Sequence, residues 1–463
     1  MKRLSPLLVA FIFTVVTVLS GCSGGEINRS EELKGVYETA QENLENSFQA
    51  ETCDYDLVTE FLEAWAEGSG VEVEKTADHY TSLLNPATGN GSAKNTTILQ
   101  CSVHTDDIHS DIKALAMGLA CLLGPKEHDN IRLIVTEIDN GQRLGADEVD
   151  AKLLKCTDFI NLSNSSNYSL SVTGSETATA TIKTKAKTNA PHYGQAFQIT
   201  MNFDKYADPY RFDKKSNYPD PITTIGNLLA NAKSSGKLFE IASFTSESVE
   251  GYMPHKVTAV IVVDANSVES ITNKFDKSYK SVEDRFNKIE TDFVYTMTET
   301  KMPSKVLYDE AANGLISLMY TMSSGICDQD EETGIINSAS YFKSIDTKDD
   351  LTVTVDMRAR TSDALEALSS DYEITSGLCN MKYSISKAHP VWSSSEESDL
   401  ASYFSSIVPQ AEDESNIMLA SNELDIFAKK NPNLNAISLN FVKDVSKKTL
   451  SNIIDYMDRS KAE

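Results

Sequence analysis

Ile131-Arg132-Leu133-Ile134-Val135 decides the fold: four of these five residues are apolar and they do not alternate with polar ones. A strand with only one face buried alternates, whereas a strand of a parallel sheet is covered on both faces and reads as a nearly continuous apolar run. A parallel strand needs a crossover, and one precedes it. From about Asp107 to Leu123 the positions Ile108, Ile112, Leu115, Ala116, Leu119 and Leu122 form a broad helical apolar face, and Gly124-Pro125 stops it. Before that helix, Thr96-Thr97-Ile98-Leu99-Gln100 reads as a short strand, and after Val135 a further strand is expected at Phe159 to Leu162. Strand, helix and strand in this order predict an α/β layer built on a parallel sheet.

Upstream, Leu33, Val36, Ala40, Leu44, Leu57, Phe61, Leu62 and Trp65 recur at helical spacing between Glu31 and Ala66. Downstream the pattern changes near Thr177. Thr177 to Lys187 and Phe197 to Phe203 alternate strictly, a helix is predicted over 222–233, and strands over 239–244 and 257–263. Half-buried strands with helices on one face describe an open sandwich. A similar run follows: helix 267–289, strand 293–298, helix 304–322, strand 351–358, helix 362–369 and strand 381–386. The tail predicts helices at 400–407, 423–430 and 448–457 around a strand at 436–441. No internal repeat of fixed period is visible.

The chain has 463 residues, with 42 Lys+Arg against 68 Asp+Glu, a formal net charge of −26. That charge opposes binding to phosphate backbones, so no nucleic-acid partner is expected. Lys2 and Arg3, the apolar run Leu7 to Leu19, and Leu19-Ser20-Gly21-Cys22 read as a lipoprotein signal peptide with Cys22 as lipid acceptor, the alternative being an uncleaved anchor. On that reading the rest is tethered to a bacterial cell envelope, at an outer membrane or cell surface rather than an inner membrane. About 440 residues remain for the folded body, enough for two or three cores. Six further cysteines, at 53, 101, 121, 156, 327 and 379, include no CxxC, which leaves buried thiols or one or two disulfides open.

Scattered residues resemble the aminoacyl-histidine dipeptidases, di-zinc peptidases of the aminopeptidase/carboxypeptidase clan. Asn85-Pro86-Ala87-Thr88-Gly89 with Ile98-Leu99-Gln100 is similar to the entry to their first metal strand, and Ile131 to Thr136 to the strand before their acidic pair. Gly145-Ala146 is similar to the turn after that strand, and Ile160-Asn161-Leu162 to the next metal strand. His192-Tyr193-Gly194, Ser338 and His389-Pro390-Val391-Trp392 resemble motifs of the family's lid, and Glu423, Phe427, Lys430, Pro432 and Ile437-Ser438 its last segment. The resemblance implies a sheet-centred metallopeptidase-like domain interrupted by an inserted α/β open-sandwich lid. Its parts would be a signal peptide (1–22), a tether (23–30), the first part of the peptidase-like domain (31–185), a lid or dimerisation domain (186–388) and the second part of the peptidase-like domain (389–463).

The family's two zinc ions need two His, three carboxylates and a Glu base. Directly aligned, the first motif falls on Ser102 and His104; a two-residue slip would restore it as His104-Thr105-Asp106, with His109 and Asp111 the substitutes nearby. The acidic pair falls on Glu137 and Asp139, with a residue between them. The next carboxylate position is Ser163, and the last His position lies in Ser446-Lys447. The resemblance therefore implies lost metal ligands at Ser102, Ser163, Ser446 and Lys447, and no bound cofactor is expected. His192 resembles a residue that would reach across a dimer to the reacting carbonyl, and otherwise is a loop His. Arg358 resembles a carboxylate-binding residue, with plain surface charge as the alternative. His104, Asp106, His109 and Asp111 could instead be the solvated start of a helix, Asp106 and Asp107 lying against its positive end.

No GxSxG, HExxH or phosphate-binding glycine loop occurs. Two functions are expected: a catalytically inactive, membrane-anchored homologue that binds a peptide or protein or pairs as a homodimer, or an active dipeptidase with a rearranged zinc site outside the cytoplasm.

Overall fold

A computed structural model describes residues 29–458 apart from 140–141, 165–168, 204–218, 250–251, 287–292, 333, 335, 387–388, 391, 395–397, 409–416, 419–421 and 442–445. The signal peptide, Cys22 and the tether lie outside the described residues. Among the described residues no helix is long and apolar enough to cross a membrane. The chain is α/β and divides into two compact units: 1–174 with 391–417 and 422–463, and 175–390 with 418–421.

The first unit opens with helices α1 (Arg29–Ser47) and α2 (Tyr55–Ser69), then an antiparallel pair, β1 (Glu72–Thr76) and β2 (Tyr80–Asn85), that the sequence pattern does not announce. β1 is exposed at every position, so no burial periodicity exists to be read. Strand β3 (Thr96–His104) runs four residues past the expected end, because it pairs in parallel with β4 (Asn130–Ile138) along its whole length. Between them lies α3 (Ile112–Leu123), all but two of whose residues are buried. It starts at 112 rather than near 107. Ile108–Ser110 forms a separate 3-10 turn, and Asp111, at the cap position, makes no capping bond. Its carboxylate is taken instead by the backbone N–H and ring of His104. Asp106 and Asp107 are thus not at a helix dipole, as a helix beginning there would require.

After β4 the chain makes a short helix, α4 (Leu144–Glu148), where a turn is expected. Gly145 is required there: a Cβ would meet His79 O at 2.3 Å and Glu137 N at 2.5 Å, so only a hydrogen lets α4 lie against β4. Strands β5 (Asp158–Asn164) and β6 (Ser169–Ser171) follow. Asn161 is buried within β5, inside the strand expected at Phe159 to Leu162.

The second unit holds two antiparallel sheets over one core. Six strands centre on β7 (Glu176–Lys185), and four on β8 (Gln195–Phe203). Helix α5 (Pro221–Ser234) is capped by Asp220, which accepts from the Ile222 and Thr223 N–H groups, and Pro221 sits in its first turn. Then come β9 (Phe239–Glu247), β10 (Lys256–Val263), α6 (Val268–Phe286) and β11 (Phe293–Glu299), which complete the four-stranded order β9-β10-β8-β11. Helix α7 (Asp309–Thr321) starts five residues later than expected because Val306-Leu307 pairs as a strand with Thr188-Asn189. Strands β12 (Gly325–Gln329), β13 (Ile336–Asp346) and β14 (Asp350–Ala359), helix α8 (Ser362–Leu378) and strand β15 (Lys382–Ile385) follow. The larger sheet runs β12-β13-β14-β7-β15 with His389-Pro390 beside β7.

Returning to the first unit, the chain forms α9 (Asp399–Ile407), α10 (Leu424–Lys430), β16 (Ala436–Phe441) and α11 (Ser446–Met457). Strand β16 enters the sheet in parallel beside β5, giving the order β1-β2-β4-β3-β5-β16-β6. Its four central strands are parallel, so their carboxyl ends share one edge, where α/β sheets carry their sites. One face packs Leu99, Cys101, Val135, Ile160 and Ile437 into an apolar cluster with α1, α3, α9 and α11. The other face carries polar residues.

Candidate functional site

Gln100, Asn161 and Ser438 stand side by side in register on β3, β5 and β16. Each interrupts an apolar strand, and all three are buried, so each needs a hydrogen-bond partner. They supply one another. Ser438 Oγ donates to Asn161 Oδ1 at 2.7 Å, and Asn161 Nδ2 donates to Gln100 Oε1 at 2.5 Å. Gln100 Nε2 then donates to the carboxylate of Glu423 at 2.6 Å. Thr136 of β4 donates to the same oxygen at 2.7 Å, and Ser102 Oγ does so as well.

Glu423 reaches this face from the end of α10, which is fastened twice. Phe427 packs on Phe159 of β5 with ring centroids 5.5 Å apart. Lys430 Nζ donates to the carbonyls of Ala146, Asp147 and Val149 at 2.7–2.8 Å, at the negative end of α4. Glu423 is 2 % exposed, and while Oε2 accepts all three donors, its Oε1 is buried with no partner. Burial pushes the carboxyl above its ordinary range, and the donors from Ser102, Thr136 and Gln100 together with the charge of Arg143 offset this only in part.

His104 lies on β3 two residues beyond Ser102, on the same face of the strand. Its Nδ1 is 2.7 Å from Asp111 Oδ2. Burial pulls the imidazole down, but Asp111 outweighs this and holds it above its ordinary value, with help from Asp106 and Glu423. Asp106 is half-buried and its Oδ1 has no partner; His109 is exposed on the 3-10 turn.

Glu137 and Asp139 do not join the Glu423 network, for a geometric reason. Thr136 takes the Glu423 side, so its neighbour Glu137 projects to the opposite one. There Glu137 Oε2 lies 2.6 Å from His79 Nδ1, and its Oε1 accepts from Thr105. Thr105 also reaches Asp139 Oδ1 at 3.5 Å. Ser163 sits on β5 opposite Asn440. Ser446 is the first residue of α11, and Lys447 pairs with Glu38 of α1 at 3.4 Å, on the helix-covered side of the sheet.

In the second unit His192 holds Glu240 twice, by its backbone N–H at 2.9 Å and its ring at 2.6 Å. Arg358 is buried inside β14, its Nε 3.6 Å from Asp356, and is not the surface charge that a strand-end arginine suggests. The six described cysteines are all free. Burial raises the Cys53 thiol to about 11 and Cys156 to about 12, which leaves them un-ionised at neutral pH.

Among the described residues no three His, Cys, Asp or Glu side chains converge as a metal site would require. Nor do the groups beside Glu423 suit zinc: they are two hydroxyls and an amide, all donating to one carboxylate oxygen. A zinc ion cannot take that oxygen without breaking them. The sequence reading missed this network, although Gln100 and Asn161, polar residues inside apolar strands, are its visible signal.

No family model matches the sequence, and no curated protein matches it. Solved structures do. The aminoacylhistidine dipeptidase of Vibrio alginolyticus aligns at 16% identity and TM-score 0.49, covering 92% of this chain and 96% of its own. Aminopeptidase PepT of Bacillus cereus aligns at 10% identity and TM-score 0.44, covering 95% and 100%. A dinuclear metal-binding peptidase of the M20 family from Bacillus subtilis aligns at 8% identity and TM-score 0.38, covering 92% and 98%.

Proposed function

We propose that this protein is a non-catalytic, lipid-anchored relative of the aminoacyl-histidine dipeptidases, held at a bacterial envelope through Cys22, that binds a peptide or protein rather than cleaving it. One observation carries the reading: the face where the resemblance would place the metals is closed by the hydrogen bonds on Glu423, with Ser102 committed to them. Hydrolysis of this design needs a bridging water made acidic by two metals and a carboxylate base free to take its proton. Here Glu423 has a buried and raised carboxyl, and Glu137 is engaged by His79 and Thr105 on the other side of its strand.

A panel of Xaa-His dipeptides, incubated with the soluble body and added zinc, manganese or cobalt, tests this reading. No turnover above a chelator-treated control is expected. Chelator-sensitive hydrolysis that survives purification to homogeneity would overturn it in favour of an active dipeptidase.

A further inference from the structure

Helices α5 and α6 of the second unit lie side by side over the four-stranded sheet, and a groove of about 400 Å³ runs between them. The charges of α6 are partly sorted around it. The helix carries four cations and four acids; Lys274, Lys277 and Arg285 line the groove, Glu269, Asp276 and Glu283, spaced i+7, fall on its far side with Lys280, and Asp284, i+7 from Lys277, flanks the groove without lining it. Helix α5 contributes Thr224, Asn227 and Asn231, all neutral hydrogen-bonding groups, and no carboxylate lines the groove at all. In a chain with 68 acidic residues and a net charge of −26, an acid-free surface with three cations is the opposite of the prevailing composition.

Phe275, Ile271 and Val282 are buried beneath α6, so the helix that presents the cations is fixed by its own core face. From Lys274 to Arg285 the helix rises about 16 Å, at roughly 1.5 Å per residue, which spreads the charge along the groove rather than at one point. A single compact anion could meet Lys274 and Lys277, three residues apart on the helix, but not Arg285 as well. An extended ligand carrying several oxyanions would meet two or three, with the Asn and Thr side chains of α5 left to bind its uncharged donors and acceptors.

We propose that the α5/α6 groove binds an extended, multivalent oxyanion, such as a linear phosphate chain or a carboxylated oligosaccharide, through Lys274, Lys277 and Arg285. The site rests on these two helices alone and does not depend on whether the first unit hydrolyses peptides.

Calorimetric titration of the full soluble chain at low ionic strength, with tripolyphosphate in one arm and trigalacturonic acid in the other, tests it. One saturable site is expected for at least one probe; binding in one arm only identifies the oxyanion as phosphate or carboxylate. Lys274→Gln and Arg285→Gln should each weaken that binding about fivefold or more, while Lys280→Gln, the same charge change on the same helix outside the groove, should change it less than about twofold. Saturation by neither probe would overturn the proposal. So would an equal loss in Lys280→Gln, which would mean only a general attraction to the helix.

Discussion

Replacing Glu423 tests the centre of the buried network. Its burial raises the folded-state pKa of the carboxyl above the unfolded value of about 4.3, so the folded state binds this proton more tightly. The sign follows: this group's stabilisation is complete below about pH 4.3 and is lost as pH rises through the folded pKa. Glu423→Gln cannot titrate. The stability difference, wild type minus variant, should therefore fall as pH rises above about 4.3, by about 1.4 kcal/mol for each unit by which folding raises the pKa. Glu423→Ala acts differently. Thr136 retains the Cys101 carbonyl at 3.4 Å and Gln100 retains Thr136 at 3.0 Å, but the Ser102 proton loses its acceptor. A half-buried donor without its acceptor and the space left by the fully buried side chain together should cost on the order of 3 kcal/mol. Urea unfolding followed by tryptophan fluorescence is the assay, since Trp65 and Trp392 are both buried in the first unit and report on it alone. A wild-type-minus-Gln difference that stays flat between pH 5 and 9 would refute the claim of a raised carboxyl.

Arg132 grips Glu74 with two bonds, at 2.6 and 2.8 Å, and also donates to the Leu153 carbonyl. Burial raises Glu74, but Arg132 more than offsets this and lowers it, so the pair's contribution should be lost as pH falls through the lowered pKa, and Arg132→Ala should cost about 1–2 kcal/mol by urea unfolding, most of it above that pKa. Lys430→Met removes three carbonyl bonds and should speed amide exchange across 424–430 at least tenfold; unchanged exchange would mean Phe427 alone holds α10. Gly145→Ala should destabilise by about 3 kcal/mol or more, read by the same fluorescence, because its Cβ meets backbone rather than a movable side chain. Titration with a thiol reagent should find six reactive thiols in the denatured soluble body without reductant, and Cys101 and Cys121 silent in the native state; a denatured count of four or two would mean disulfides.

What could be read in advance follows from how each signal is carried. The run at Ile131 to Val135 is buried on both sides, and the alternation at Thr177 to Lys185 is buried on one, so each reports its layer locally. β1 carries no such signal because nothing covers it, and the start of α7 was hidden because Val306 and Leu307 are apolar in either a strand or a helix. The shifted start of α3 depends on Asp111 preferring His104 to the helix N-terminus, a choice made by tertiary geometry. The residue types at the positions that resemble zinc-ligand positions, Ser102, Ser163, Ser446 and Lys447, were legible one by one. The network around Glu423 was not, since Gln100 and Glu423 lie 323 residues apart and only the fold brings them together.

Zinc titration of the chelator-stripped soluble body, with bound metal counted per chain by mass spectrometry after dialysis, tests the central claim most directly. Less than about 0.1 ion per chain at micromolar free zinc is the expected result, because Ser102, Thr136 and Gln100 hold the Glu423 carboxylate. Two ions per chain retained through dialysis, and lost on Glu423→Gln, would contradict it.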